Sequence, residues 1–190
     1  MPFIAPFKGL RYNLGKVGSL ARVVTPPYDV ISPGAQAQYY RRHRWNFVRV
    51  VFGKEYPTDN GRENRYSRAC RTFEEWIRRG VLRSDPEPSL YPYLQEYRSG
   101  GKIHRRWGVI ALVRLDSKKI YPHEETREEP KRDRLRLLEA LGASLSPIFW
   151  LIPDAAVLMN CSDVAPSTER YCLELVQAVT DALSSSSGQL

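Results

Sequence analysis

The chain has 190 residues, 42% of them hydrophobic, with 14 prolines and a formal charge of +8. That length buries one core, and no apolar run approaches the roughly 18 residues that cross a bilayer. Three scattered cysteines, Cys70, Cys161 and Cys172, lack paired metal spacing and argue against a zinc site or a disulfide framework.

MPFIAPFKGL at the start is broken by two prolines, unlike a secretion signal, so a cytoplasmic location is expected. FIAPFKGLRY (residues 3–12) reads as an extended opening segment. In TPPYDVIS (residues 25–32) two prolines fix an extended backbone and remove donors, predicting a loop or sheet edge. Ser32 followed by Pro33 predicts a helix start, with the helix running to about Arg42. NFVRVVF (Asn46 to Phe52) is rich in β-branched and aromatic residues and reads as a strand.

The clearest helix is predicted from about Arg62 to Arg79. Its buried stripe is Tyr66, Ala69, Cys70, Phe73, Trp76 and Ile77, and Gly80 closes it. Cys70 is thereby expected to be a buried, inert thiol. Leu90 to Tyr97 and Ile103 to Leu115 form a hairpin across Ser99-Gly100-Gly101-Lys102. Tyr91, Tyr93 and Tyr97 fall on one of its faces, in a packing role. Ser146 to Ile152 reads as a short buried strand. Beyond it, Ser167 caps a helix with Leu173, Val176, Val179 and Leu183 on one side, and Ser184 to Leu190 is expected to be disordered. This mixed order of elements predicts an α+β domain.

Charge is unevenly placed. Up to Ile152 there are 28 Lys plus Arg against 16 acids, a net of +12, whereas the remainder has one Arg against five acids. A basic body attracts nucleic acid or small phosphates. Arg41, Arg42 and Arg44 look like a nucleic-acid patch, but a wet helix end is the better account of them, since no interleaved aromatic RNA-binding motif, helix-turn-helix signature or zinc finger accompanies them. No P-loop, dinucleotide fingerprint or nucleophile elbow is present.

YPHEETREEPKRDR (Tyr121 to Arg134) holds the chemistry-bearing residues. A His–Glu pair, His123 and Glu124, and Thr126 precede a helix expected to open at Pro130, with Lys131 and Arg134 on one face and Leu135, Leu138 and Leu141 anchoring it. A helix start offers unpaired N–H groups to phosphate. Glu124, Glu125, Glu128 and Glu129 are of the type that holds Mg²⁺ between carboxylates and phosphate oxygens. The same residues also fit a solvated charged loop capping an ordinary helix.

FIAPFKGLRY, TPPYDVIS, the strand expected after Asn46, YSRACRTFEEWIRRGVLRSDPEPSLYPYLQEY, RRWGVIALVRL, PHEET, PKRDRLRLL and SLSPIFWLI follow one another along the chain. In that order they resemble the bacterial domain of unknown function 1015 family over about residues 2 to 152, leaving 153 to 190 as a divergent tail. The family is similar to the ParB/sulfiredoxin-like superfamily, which includes nucleotide-binding partition proteins, sulfiredoxin and kinases acting on free L-serine. The resemblance implies a phosphate-handling α+β fold, with a mixed sheet, a β-hairpin and flanking helices. On matching positions it nominates Asp29 near the pocket, and His123, Glu124, Thr126, Lys131 and Arg134 around phosphate. Family members carry a downstream ADGHHRY-like motif. This chain has no adjacent histidine pair, so a truncated product with half a pocket is one expectation.

Two functions follow from the resemblance. One is a kinase-like phosphotransferase acting on a small hydroxyl substrate such as free L-serine, with Glu124 or Asp29 taking the hydroxyl proton, Lys131 and Arg134 holding the phosphoryl group, and a nucleotide or pyrophosphate as donor, with Mg²⁺. The other is a non-catalytic module that binds nucleotide or DNA.

Overall fold

A computed structural model of the chain describes residues 4–114 and 127–148. His123, Glu124 and Thr126, most of the strand expected at Ser146 to Ile152, and the expected tail helix lie outside the described residues. The described chain separates into two units, one built from residues 10–85 and 127–146 and the other from residues 4–9, 86–114 and 147–148. Helices and small antiparallel sheets occur together, so the α+β class holds. The mixed sheet is not what the described residues form: they make three antiparallel two-stranded ladders.

The first unit opens with β2 (Leu10–Tyr12), which pairs antiparallel with β3 (Leu82–Ser84), and two short helices, α1 (Leu14–Val17) and α2 (Leu20–Val23). A single 3₁₀ turn at Tyr28–Val30 leads into α3 (Pro33–Arg42). Ser32 caps α3 by accepting from the Ala35 N–H, and Pro33 takes the first helical position, as the sequence predicts.

Residues 46–52 are not a strand: Val48–Val51 form a helical turn, α4. The Asn46 side chain, fully buried, decides this. It accepts from the Val48 N–H at 3.1 Å and donates to the carbonyls of Arg22 and Val24. The Phe47 N–H is taken by the Val23 carbonyl at 2.7 Å. With donors claimed by α2 and a local cap, the apolar run coils, and β propensity yields to context. Val48, Val50 and Val51 are all buried.

Helix α5 (Arg65–Arg78) has defined ends for a local reason. The Asn64 side chain accepts from the N–H groups of Tyr66 and Ser67, and the Ser67 hydroxyl accepts from the Asn64 N–H, a reciprocal capping box. At the other end Gly80, at φ 66°, lets its N–H reach the Ile77 carbonyl while Val81 bonds back to Trp76, a Schellman closure. Ala69, Phe73 and Trp76 are buried, and Phe73 and Trp76 meet Val17, Val23, Trp45, Val50, Val81 and Leu82 in the core. Trp45 and Trp76 pack edge to face with centroids 6.0 Å apart. The buried stripe is narrower than expected: Cys70 is only half-buried and Ile77 faces solvent.

Helix α6 (Glu128–Leu141) opens two residues before Pro130, which therefore takes its third position. The predicted anchoring stripe is rotated. Leu135 and Leu138 are 53% and 45% exposed, while Leu137 is buried and Leu141 packs on the core. The inward face runs Pro130, Asp133, Arg134, Leu137, Leu141, so it carries two charged residues.

In the second unit β1 (Ile4–Ala5) pairs antiparallel with β6 (Leu112–Val113). β4 (Tyr91–Ser99) and β5 (Lys102–Ile110) form the expected hairpin, closed by Gly100 and Gly101 at φ 55° and 75°. Positive φ at both central residues suits the tight turn that follows strand twist. At the hairpin base the Tyr91 hydroxyl accepts from the Gly9 N–H at 2.6 Å and donates to the Phe7 carbonyl at 3.2 Å.

Candidate functional site

The charged inward face of α6 builds the site. The Asp133 carboxylate accepts from the Tyr66 hydroxyl at 2.7 Å, from Arg65 Nη2, and from Arg134 Nε at 2.9 Å and Nη2. Burial raises the Asp133 pKa. The hydrogen bonds from Tyr66 and Arg134 and the charges of Arg134 and Arg65 outweigh it, holding the carboxyl below its ordinary value. Asp133 is thus a charged anchor at neutral pH with its lone pairs occupied. It cannot serve as a base.

Arg65 also reaches Glu55 at 3.0 Å. Arg134 Nη2 donates to the Val51 carbonyl at 3.1 Å, and the guanidinium lies 3.8 Å from the centre of the Tyr28 ring. Its Nη1 is buried and has no acceptor. A buried N–H without a partner costs about 1–3 kcal/mol, so such a group calls for an explanation. Beside it, Arg134, Arg65, Tyr66, Phe52 and Gly53 border a concavity of about 10 Å³. That is room for about one water-sized group.

The other residues nominated from sequence are placed as follows. Asp29 is exposed on the 3₁₀ turn, next to the Tyr28 ring that Arg134 covers. Lys131 is exposed and pairs with Glu128 at 3.3 Å, so it does not share Arg134's environment. The first turn of α6 carries Glu128 and Glu129, and Arg127 gives it no side-chain cap. These acids already complement the positive end of the helix dipole. Among the described residues no three His, Cys, Asp or Glu side chains gather as metal ligands. Arg65, Tyr66 and Asp133 were missed as site residues, because their partners stand 67 or 68 positions apart in the chain.

Burial first, then the charge of Glu74, keeps the Cys70 thiol above its ordinary pKa and protonated.

A small α+β protein with an arginine-lined concavity is therefore the class these observations define. The chain matches the family described as "Protein of unknown function (DUF1015)" over residues 4–180, and it belongs to that family. The match runs well past residue 152, so family similarity takes in most of the segment that the sequence reading set apart as divergent. No curated protein and no solved structure matches the chain. No helix among the described residues is long and apolar enough to cross a membrane.

Proposed function

We propose that this chain is a phosphate-handling domain, and within that class a kinase-like phosphotransferase acting in the cytoplasm on a small hydroxyl substrate such as free L-serine. The observation that carries the reading is Arg134, whose Nη1 donor is buried beside a concavity without an acceptor. A guanidinium held by Asp133 and by the Tyr28 ring is fixed before ligand arrives, which lowers the entropy cost of gripping an oxyanion.

In the transfer, the substrate hydroxyl oxygen forms the new P–O bond and the bond from phosphorus to the donor's bridging oxygen breaks. The donor is a nucleotide or pyrophosphate. The hydroxyl proton passes to the carboxylate of Glu124 or Asp29. Arg134 holds phosphoryl oxygens, with His123 and Thr126 completing the surroundings of the phosphate. Such catalysis is mainly positioning and charge stabilisation.

The test is incubation with L-serine and ATP or pyrophosphate, with and without Mg²⁺, reading O-phosphoserine by mass spectrometry. Product is expected from the wild-type chain and is expected to disappear in Glu124→Gln. Absence of product with both donors removes the kinase reading. Calorimetric titration with phosphate checks the broader one, which requires binding that Arg134→Gln abolishes in a variant still folded by circular dichroism.

A further inference from the structure

Residues 1–54 hold nine Lys or Arg and one acid, Asp29, so this stretch carries an excess of eight positive charges, the same as the entire chain. Folding concentrates part of that excess. Arg22, on α2, reaches the Arg42 carbonyl through Nη2 at 3.5 Å. The Arg42 guanidinium lies 4.7 Å from the centre of the Tyr39 ring, and that of Arg44 lies 4.5 Å from the centre of the Trp45 ring. All three arginines are exposed, and among the described residues no carboxylate pairs with any of them.

His43 sits among these cations and records their field. Its Nδ1 accepts from the Trp45 N–H at 3.2 Å, which leaves Nε2 to carry the proton of the neutral ring. Burial first, then the charges of Arg22 and Arg44, hold its pKa below the ordinary value. Cations that repel one another and lack counter-charges gain most from an external array of anions.

We infer that the surface formed by Arg22, Arg42, His43 and Arg44 docks the phosphate backbone of nucleic acid, without reading sequence. Planar guanidinium forks match phosphate oxygens, and stacking on Tyr39 and Trp45 holds two of them in place. The rings lie beneath guanidinium groups instead of projecting from the surface, an arrangement unsuited to insertion among acyl chains. This surface is separate from the Arg134 concavity and does not depend on phosphotransfer.

The experiment is fluorescence anisotropy of the full chain with a labelled single-stranded oligonucleotide and with the matching duplex, across a salt series. Three phosphate contacts predict a log–log salt slope of about −2 to −3. The R22Q/R42Q/R44Q variant is expected to lose at least about tenfold in affinity and most of that slope. The charge-matched R62Q/R71Q/R136Q variant, altered at other exposed arginines, is expected to keep its affinity within about threefold. Equal losses in the two variants overturn the proposal, as does binding to anionic phosphatidylserine vesicles but to neither oligonucleotide. On the wild-type chain, the imidazole proton resonance of His43 must titrate at higher pH when the oligonucleotide is present. An unshifted titration also overturns it.

Discussion

Two groups of arginines in the helical unit live under opposite rules. On the α5–α6 side, Arg65 and Arg134 are mostly buried and share the carboxylate of Asp133. On the α2–α3 side, Arg22, Arg42 and Arg44 stand in water with aromatic or backbone partners and, among the described residues, no acid. Removing a guanidinium from water demands a counter-charge, because unpaired burial costs several kcal/mol. An exposed guanidinium has no such requirement, and its field stays available to a ligand. The first group is therefore a structural staple with one spare donor at Arg134, while the second is a free electrostatic surface.

That contrast breaks first at Asp133. Asp133→Ala leaves two half-buried cations facing each other, so a loss of about 3 kcal/mol is expected, read from the urea midpoint at constant m-value. A loss below about 1 kcal/mol would mean that water already neutralises this cluster. The same carboxylate gives a pH signature. Its folded pKa lies below the unfolded value, so its stabilisation is complete above about pH 3.9 and is lost as pH falls through the folded value. Wild-type stability should accordingly drop more steeply below pH 4 than that of Asp133→Asn.

Smaller effects sharpen the picture. Asn64→Ala removes both side-chain cap bonds of α5 and is expected to cost about 1 kcal/mol, seen as a lowered thermal midpoint. Arg42→Gln should leave stability within about 0.5 kcal/mol, since no carboxylate is orphaned by it. A loss comparable to that at Asp133 would put the two arginine groups in one class.

Local signals in the sequence located what local physics decides. The Ser32–Pro33 start, the Gly80 closure and the double-glycine hairpin turn are each specified by residues within a few positions. The failures are non-local. Asn46 to Phe52 has strand composition, yet α2 supplies the carbonyls that hold Asn46 and coil the segment. On α6, apolar spacing pointed to Leu135 and Leu138. The helix instead turns Asp133 inward, because Arg65 and Tyr66 wait 68 and 67 positions upstream. A charged residue on a buried face is invisible to hydrophobic periodicity. Of the two cations that the helix spacing puts on one face, Arg134 turns inward, whereas Lys131, three positions earlier, faces solvent with Glu128.

The Tyr91 hydroxyl lies so close to the Gly9 backbone that a methyl group added there would stand 2.7 Å from the phenolic oxygen. Alanine at this position would act as a wedge, lifting the ring and releasing the latch on Phe7. Since every atom of that latch belongs to the hairpin unit, the substitution offers a way to loosen one half of the described chain while the helical half keeps its own bonds.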